Sequence, residues 1–260
     1  MISIHKIAAG SYWSDGGAFM GVLPYPMWSQ KTQVDERRRQ KLDMNLLLIQ
    51  SPGRNILVDT GLGNRLSDKQ RDIYQPSEFI LPLSLNKLGI NDSDITDVIL
   101  THLHFDHAGG VVTGFGNVDA LTFPQAKHWI QRSEWEMAKN PDELNRAAYS
   151  FQHQLGLLES SGNFELIEGD CEIAPGIRAI RTGGHTVGCQ IVQIESPAGF
   201  YIYAGDIIPT FFHTSPAVTS AYDVSRKETF AAKQLIFSRL KAHQGILLLD
   251  HDTLRWEIQY

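Results

Sequence analysis

The sequence predicts an α/β protein in which helices pack on the outside of β-sheets. Most of the 260 residues fall into short apolar runs separated by Gly, Pro and Asp, a pattern that favours strands joined by turns. A few longer stretches repeat apolar residues every three or four positions, as amphipathic helices do. No linker or internal repeat interrupts the chain, and we therefore expect a single domain over residues 1–260.

The predicted strands in chain order are residues 2–8, 44–50, 55–60, 97–101, 126–131, 177–182, 190–195, 200–205 and 245–250. The second and third flank the turn sequence SPGR and are expected to form a hairpin. Helices are expected at 133–139, where Ser133 and Glu136 would form a capping box, and at 142–149. A third helix is expected at 226–242, where apolar residues recur at helical spacing.

The composition argues against several classes of partner. The net charge of −6 and the pI of about 5.9 offer no basic surface to nucleic acid. The two cysteines, Cys171 and Cys189, form no CxxC pattern, which fits a reducing compartment. No apolar run reaches the length of a membrane span, and the N-terminus lacks the apolar core of a signal peptide. We expect a cytoplasmic protein that acts on a small molecule and binds neither nucleic acid nor membrane.

Residues 101–110, THLHFDHAGG, place three histidines and an aspartate within six positions at the end of a predicted strand. Three other strands also end in His or Asp, namely those before His185, Asp206 and His251. Ligand sites gather at strand ends, on loops held by a rigid scaffold. If the strands align, seven side chains converge: His102, His104, Asp106, His107, His185, Asp206 and His251.

Five imidazoles and two carboxylates exceed the four ligands of one tetrahedral zinc and therefore suit two metal ions. Alternate residues His102 and His104 can point to one side of an extended segment. Gly109 and Gly110 permit the tight backbone that must follow His107. Because the ligands are imidazoles and carboxylates and include no thiolate, we expect two Zn²⁺ ions, for which Fe, Mn or Co could substitute. The alternative is a chance cluster of polar residues beside scattered core histidines.

These motifs resemble those of the metallo-β-lactamase superfamily. HxHxDH is followed in the family's order by GGHT at 183–186, GD at 205–206 and HD at 251–252, and NILVDTG at 55–61 is similar to an early family strand. The resemblance implies an αββα sandwich, with two mixed β-sheets flanked by helices. It also implies roles for these residues: His102, His104 and His185 on the first metal, Asp106, His107 and His251 on the second, Asp206 as the bridge, and Asp59 as a support that helps to shape the site.

Within the superfamily, the segments 15–28, 205–213 and 219–223 resemble the YtnP-type branch of quorum-quenching lactonases. This resemblance implies a dinuclear zinc lactonase that opens N-acyl-homoserine lactones or related lactones through a hydroxide shared by the metals. Such lactonases carry a tyrosine where this chain has Pro209, and Tyr222 is the candidate replacement. The alternative for Tyr222 is an ordinary, partly buried aromatic residue. Many family members also carry a second histidine where Cys189 stands, and we expect Cys189 to be a small buried residue that opens a strand.

The predicted catalytic residues are Asp106, which would pass a proton to the leaving oxygen, Asp206, which would set the spacing of the metals, and Tyr222. The apolar segment 17–28 has no strand or helix period, so we expect it to cover the site. Packing onto the core and a contact within a homodimer are its alternatives. The predicted substrate contacts are Phe19, Met20, Trp28, Phe211, Phe212 and His213. 

Other hydrolases on the same scaffold stay open, because Asp106, His107 and His251 would also suit a thioester, phosphoester or organophosphate hydrolase. An iron-dependent dioxygenase is the alternative from a different class of enzyme. Such dioxygenases bind one metal, so the number of bound metal ions distinguishes them from the dinuclear hydrolase.

Overall fold

The computed structural model describes residues 1–116 and 118–260. The strands are β1 (Ser3–Asp15), β2 (Arg39–Ser51), β3 (Arg54–Val58), β4 (Asp97–Ile99), β5 (Val112–Phe115), β6 (Val118–Leu121), β7 (Lys127–Gln131), β8 (Phe164–Ile167), β9 (Cys171–Ala174), β10 (Ile177–Arg181), β11 (Gln190–Ser196), β12 (Gly199–Tyr203), β13 (Ile246–Leu248) and β14 (Glu257–Gln259). The α-helices are α1 (Gly16–Met20), α2 (Tyr25–Trp28), α3 (Asp68–Tyr74), α4 (Leu81–Asn86), α5 (Phe105–Ala108), α6 (Arg132–Lys139), α7 (Phe151–Ser161) and α8 (Arg226–His243). Short 3₁₀ turns lie at Asp92–Asp94, Gly109–Val111, Gly205–Ile207 and Phe211–Thr214.

Two six-stranded sheets form the centre of the fold. Their strand orders are β1-β2-β3-β4-β7-β8 and β14-β13-β12-β11-β10-β9, and β5 and β6 form a separate hairpin. The first sheet is parallel from β3 to β8 and antiparallel from β1 to β3. The second is antiparallel except for the parallel pair β12 and β13. Both sheets are therefore mixed, as the family resemblance implied.

The alternating side chains of β2 show how the layers stack. Leu47 and Ile49 face the second sheet, whereas Leu46 and Leu48 face the helices on the other side. Because successive residues of a strand point to opposite faces, a strand buried on both faces reads as a continuous apolar run. On the far side of the second sheet, Ile236 of α8 packs against the sheet. The order of layers is helix, sheet, sheet, helix, and the predicted α/β fold class is confirmed.

All nine predicted strands are present, and the predicted hairpin is confirmed by the pairing of Ser51 with Arg54 around Gly53. The strands that the sequence did not indicate are β5, β6, β8, β9 and β14. Each has five residues or fewer, too short for a clear alternation of apolar and polar side chains. Among the described residues, no helix combines the length and apolar character that crossing a bilayer requires.

Two helix predictions need correction. No helix forms at 142–149, because the Asp142 carboxylate accepts bonds from the backbone N–H groups of Leu144 and Asn145 and closes local turns instead. The helix begins later, at Phe151. The capping box at Ser133 is also absent: α6 begins at Arg132 with no side-chain cap.

Candidate metal centre

The seven predicted metal-binding side chains are brought together where β4, β10, β12 and β13 end. Six of the seven, together with Asp250, form two groups whose ligand atoms lie within 4.8 Å of one another, one of His102, His104, His185 and Asp206, and one of His107, Asp206, Asp250 and His251. The predicted ligand Asp106 lies beside the second group but outside it. Asp206 belongs to both groups. Its Oδ2 lies 3.1 Å from Nε2 of His185, and its Oδ1 lies 3.2 Å from Nε2 of His251. The carboxylate therefore faces both groups, as a bridging ligand would.

The donor atoms inside the centre fit metal ions. Nε2 of His185 lies 3.1 Å from Nδ1 of His104, and Nε2 of His107 lies 3.2 Å from Nε2 of His251. Nε2 of His102 and Oδ1 of Asp206 are buried without a hydrogen-bond partner in the described part of the chain. Buried polar atoms are rarely left unpaired, and converging lone pairs of this kind are satisfied by a shared cation.

The ring nitrogens that point away from the centre are anchored by neighbouring oxygens. The pairs are His102 Nδ1 with Thr101 Oγ1 at 3.1 Å, His107 Nδ1 with Asp59 Oδ2 at 3.0 Å, His185 Nδ1 with Asp223 Oδ1 at 2.8 Å, and His251 Nδ1 with the Asp43 carbonyl at 2.8 Å. Anchoring one nitrogen to an acceptor fixes the tautomer and the ring orientation, so that the other nitrogen can bind a metal.

Asp59 holds two parts of the site, which agrees with the supporting role that the resemblance implied. Besides His107, its carboxylate accepts the backbone N–H of Thr101 at 2.8 Å and the Thr101 hydroxyl. Its φ of 61° lies in the left-handed region, which Asp and Asn tolerate better than most residues. The loop after β3 thereby fixes the chain that leads into HxHxDH.

Two glycines allow the loops to approach closely. A Cβ on Gly110 would lie 2.2 Å from the Thr60 carbonyl oxygen, and a Cβ on Gly184 would lie 2.7 Å from the Thr229 backbone nitrogen. The tight backbone predicted after His107 is present. These close contacts place the His102–His107 and His185 segments directly beside the rest of the site.

Burial and neighbouring charges shift the pKa values of several histidines in the centre. Burial, together with the neighbouring imidazoles, holds the pKa of His102 and His104 well below the ordinary value. At His185 burial lowers the pKa, but Asp206 outweighs it and raises the value to about 10. Burial also lowers the pKa of His251, but Asp250 and Asp206 outweigh this effect and raise the value to about 9. The buried carboxylates are therefore stabilised by positive charge. Protons supply this charge in the apo-protein, and metal ions would displace these protons.

Asp106 has a partner that the sequence did not reveal. Its Oδ2 lies 3.6 Å from Nε2 of His251 and 3.8 Å from Nε2 of His107, and it accepts a hydrogen bond from the Tyr12 hydroxyl. Burial raises the pKa of Tyr12 well above its ordinary value, so the phenol stays protonated and acts as a donor. In the sequence Tyr12 is one aromatic residue of a strand, and nothing marks it as part of a site.

Asp250 is the second residue that the sequence did not single out. It directly precedes His251, is 1% exposed, and belongs to the second group of ligand atoms. In the sequence it reads as the polar end of the run ILLLD. The signal that could have identified it is an acidic residue beside a predicted ligand in a buried segment.

A cavity of about 570 Å³ opens beside the centre. Its walls include Asp106, Asp206, Phe19 and Tyr222 from among the predicted catalytic and substrate residues. The remaining lining residues are Tyr12, Ser14, Tyr74, His104, Phe105, Asp142, Leu144, Asn145, Ala147, Ala148, His185, Ala221, Asp223 and Val224. The lining combines the polar side chains of the metal centre with apolar and aromatic side chains, and Asp142 and Asn145 add further polar groups.

The other predicted substrate contacts lie elsewhere. Met20 and Trp28 are buried in the core beside the first sheet, where the short helices α1 and α2 place them. Phe211 and Phe212 line a separate cavity of about 360 Å³. His213 is buried, with Nδ1 2.8 Å from the Thr210 hydroxyl and Nε2 3.2 Å from the Phe19 carbonyl. These five residues do not line the cavity at the centre.

Cys189 is buried and lies directly before β11, as its predicted structural role requires.

Comparison with known proteins agrees with the fold and the motifs. The family model of the metallo-β-lactamase superfamily matches residues 42–238. An N-acyl homoserine lactonase of Bacillus thuringiensis is 36% identical over 112 residues, which cover 43% of this chain and 38% of that protein. The crystal structure of a "probable metal-dependent hydrolase" from Staphylococcus aureus is 32% identical, with a TM-score of 0.92, and the match covers 100% of this chain and 92% of that one.

AidC, a dizinc quorum-quenching lactonase in complex with a product, has the same fold, with a TM-score of 0.77 at 19% identity over 98% of this chain and 89% of that chain. The match to the family model spans well over half of the sequence and includes HxHxDH, GGHT and Asp206. The chain therefore belongs to the metallo-β-lactamase superfamily.

Proposed function

We propose that this protein is a dinuclear zinc-dependent hydrolase of small molecules, and that its substrates are N-acyl-homoserine lactones or related lactones. The observation that carries the proposal is the pair of ligand groups that share Asp206 and open into one cavity. In the proposed assignment His102, His104 and His185 hold the first metal, and Asp106, His107 and His251 hold the second. Asp206 bridges the two.

Bound zinc ions would supply a water of lowered pKa and would polarise the carbonyl of the substrate. The side chains of the chain itself provide orientation and proton transfer. Asp106 lies on the cavity wall and is held there by Tyr12, which makes it the candidate to deliver a proton to the leaving oxygen of the lactone. Tyr222 lies on the same wall, where its phenol is a candidate hydrogen-bond donor to the substrate.

The lining of the cavity supports a substrate that carries both a polar and an apolar group. Asp106, His185 and Asp206 lie among the polar lining, and Phe19 and Phe105 lie among the apolar lining. A lactone ring at the centre would leave an acyl chain among apolar side chains, whose burial favours binding. The names of the relatives support the same class of substrate, since the Bacillus thuringiensis relative is an N-acyl homoserine lactonase.

A pH-stat assay tests the proposal. Zinc-loaded protein is offered a panel of N-acyl-homoserine lactones of different chain lengths, simple lactones, a thioester and a phosphotriester, and acid release is recorded. We expect lactones to be hydrolysed fastest. No acid release from any lactone, together with rapid turnover of the thioester or phosphotriester, would overturn the choice of substrate.

The variant Asp206→Ala tests the bridge in the same assay. Because Asp206 faces both groups, the variant should lose at least one metal ion and most of the activity. Two tightly retained metal ions in the purified variant would refute the bridging role. Metal analysis of protein purified without added zinc identifies the native metal.

A further inference from the structure

A buried carboxylate beside the metal centre has no assigned role in the mechanism. Asp250 follows β13, and both of its carboxylate oxygens are buried without a hydrogen-bond partner among the described residues. An unpaired buried carboxylate is strongly unfavourable unless a cation compensates it. A residue with this burial and no partner requires an explanation.

The described protein side chains supply little of this compensation. Within 4 Å, the basic group that the structure places beside the Asp250 carboxylate is the His251 imidazole, whose Nε2 lies 3.6 Å from Oδ2. That nitrogen also lies 3.2 Å from Asp206 and 3.6 Å from Asp106, so three carboxylates share it. Asp106 and Asp206 also lie beside His107, and Asp206 beside His185, but among the described residues the Asp250 carboxylate has the shared His251 imidazole alone within 4 Å. A proton or a metal ion must therefore supply the rest of its compensation.

The position of Asp250 is that of a ligand. Its carboxylate lies within 4.8 Å of the ligand atoms of His107, Asp206 and His251, the same spacing that groups the ligands of the first position. The main chain at Asp250 is fixed from the first sheet, because its carbonyl accepts the Asn45 N–H at 2.8 Å. The carboxylate is thus held where the other second-position ligands converge.

We propose that Asp250 is an additional carboxylate ligand of the second metal position. The first position then offers three imidazoles and the shared Asp206, whereas the second offers His107 and His251 with three carboxylates, from Asp106, Asp206 and Asp250. Imidazole suits zinc, and added carboxylate oxygens suit harder ions of higher coordination number such as Mn²⁺. The second position should therefore accept Mn²⁺ more readily than the first. The inference rests on the proposed two-metal centre.

Metal titration of the apo-protein tests it. Zn²⁺ and Mn²⁺ are titrated separately against a competing chelator into wild type and Asp250→Asn, which keeps the size of the side chain. The variant should bind one metal with wild-type affinity and the other more than about 100-fold more weakly, beyond the 10–100-fold loss typical of residues that only support a ligand. In the Co²⁺-substituted protein, the visible absorption should change for the weakened position alone.

Asp252→Asn is the matched control. Asp252 is also buried beside His251, but its oxygens accept the backbone N–H groups of Phe211, Leu254 and Arg255. This variant should keep wild-type affinity for both metals. Thermal unfolding of the apo-proteins gives an independent readout: Asp250→Asn should match or exceed wild type, because one of several crowded carboxylates is removed.

Wild-type affinity for both metals in Asp250→Asn would overturn the assignment. A lower unfolding temperature of the apo variant with equal weakening of both metals would also overturn it, by showing a structural role. If wild type binds only one metal, the two-metal centre fails and the assignment fails with it. If two metals bind and Asp250→Asn loses one, but no lactone is hydrolysed, the proposed substrate fails while the ligand assignment stands.

Discussion

Replacing Asp59 with asparagine tests whether a residue that supports the predicted metal ligand His107, without binding the metal, affects metal affinity. Asp59 accepts hydrogen bonds from the Thr101 backbone N–H at 2.8 Å, from the Thr101 hydroxyl at 2.9 Å and from His107 Nδ1 at 3.0 Å. Asparagine is the suitable replacement because it tolerates the left-handed backbone at this position, where alanine would add strain.

The expected loss can be worked out contact by contact. Asparagine keeps one oxygen for the Thr101 N–H and the Thr101 hydroxyl, at 2.8 and 3.0 Å, but turns an amide NH₂ towards His107 Nδ1. One bond to a charged acceptor is lost, so the apo-protein should lose about 1.5–3 kcal/mol of unfolding free energy. His107 loses its anchored tautomer, and the second metal should bind 10–100-fold more weakly, or about 1.4–2.8 kcal/mol.

Competition against a chromophoric chelator measures the metal affinities, and urea unfolding of the apo-protein measures the stability. The matched control is Asp223→Asn, which removes the corresponding support from His185 and should weaken the first metal instead. Unchanged affinity for both metals in Asp59→Asn would refute the reasoning that this anchor prepares His107 for a metal.

Three further predictions follow from contacts at and around the site. Tyr12→Phe removes the donor to Asp106 and should lower kcat for lactone hydrolysis about tenfold with two metals still bound, measured by pH-stat and metal analysis. Gly110→Ala places a Cβ in contact with a carbonyl and should destabilise the protein by about 2–3 kcal/mol in urea, whereas Gly156→Ala within α7 should stabilise it by about 0.5–1 kcal/mol. His128→Gln should remove a pH-dependent loss of stability of about 3 kcal/mol, measured by urea unfolding between pH 7 and 4.

The sign of the His128 effect follows from its burial, which lowers the pKa from 6.5 to about 4. As the pH falls through this window, the unfolded chain takes up a proton that the folded protein refuses, so wild type loses stability relative to the variant. Parallel stability curves would contradict the prediction. Metal loss in Tyr12→Phe, or a stability of Gly110→Ala equal to wild type, would contradict the other two.

The sequence indicated the metal centre better than its surroundings. Strand ends such as those before His185 and Asp206 carry a local signal, because an apolar run stops at a residue that cannot be buried alone. The contact of Tyr12 with Asp106 has no such signal, since the two residues are 94 positions apart and meet only through packing of the sheet. Asp250 also lacks a local signal, because its distinguishing feature is a carboxylate without a hydrogen-bond partner among the described residues.

The apolar residues of segment 17–28 show a second limit of sequence reasoning. Met20 and Trp28 have the same polarity pattern whether they line a cavity or fill the core, and tertiary packing decides between the two. Phe211 and Phe212 follow Asp206 closely in sequence, but the chain turns after Pro209 and carries them to another cavity. Proximity along the chain did not translate into proximity to the centre.

The backbone contacts between β2 and the segment that carries His251 bear on how the protein assembles. The Asp43 carbonyl meets a His251 ring nitrogen 208 residues further along the chain, so this ligand reaches its place only when both sheets have docked. Metal ions should therefore bind late in folding and should stabilise only the completed sandwich. At a free metal concentration about 1,000-fold above the dissociation constant, capture adds about 4 kcal/mol to the stability of the folded chain, and its melting temperature should rise with the metal supply of the surroundings.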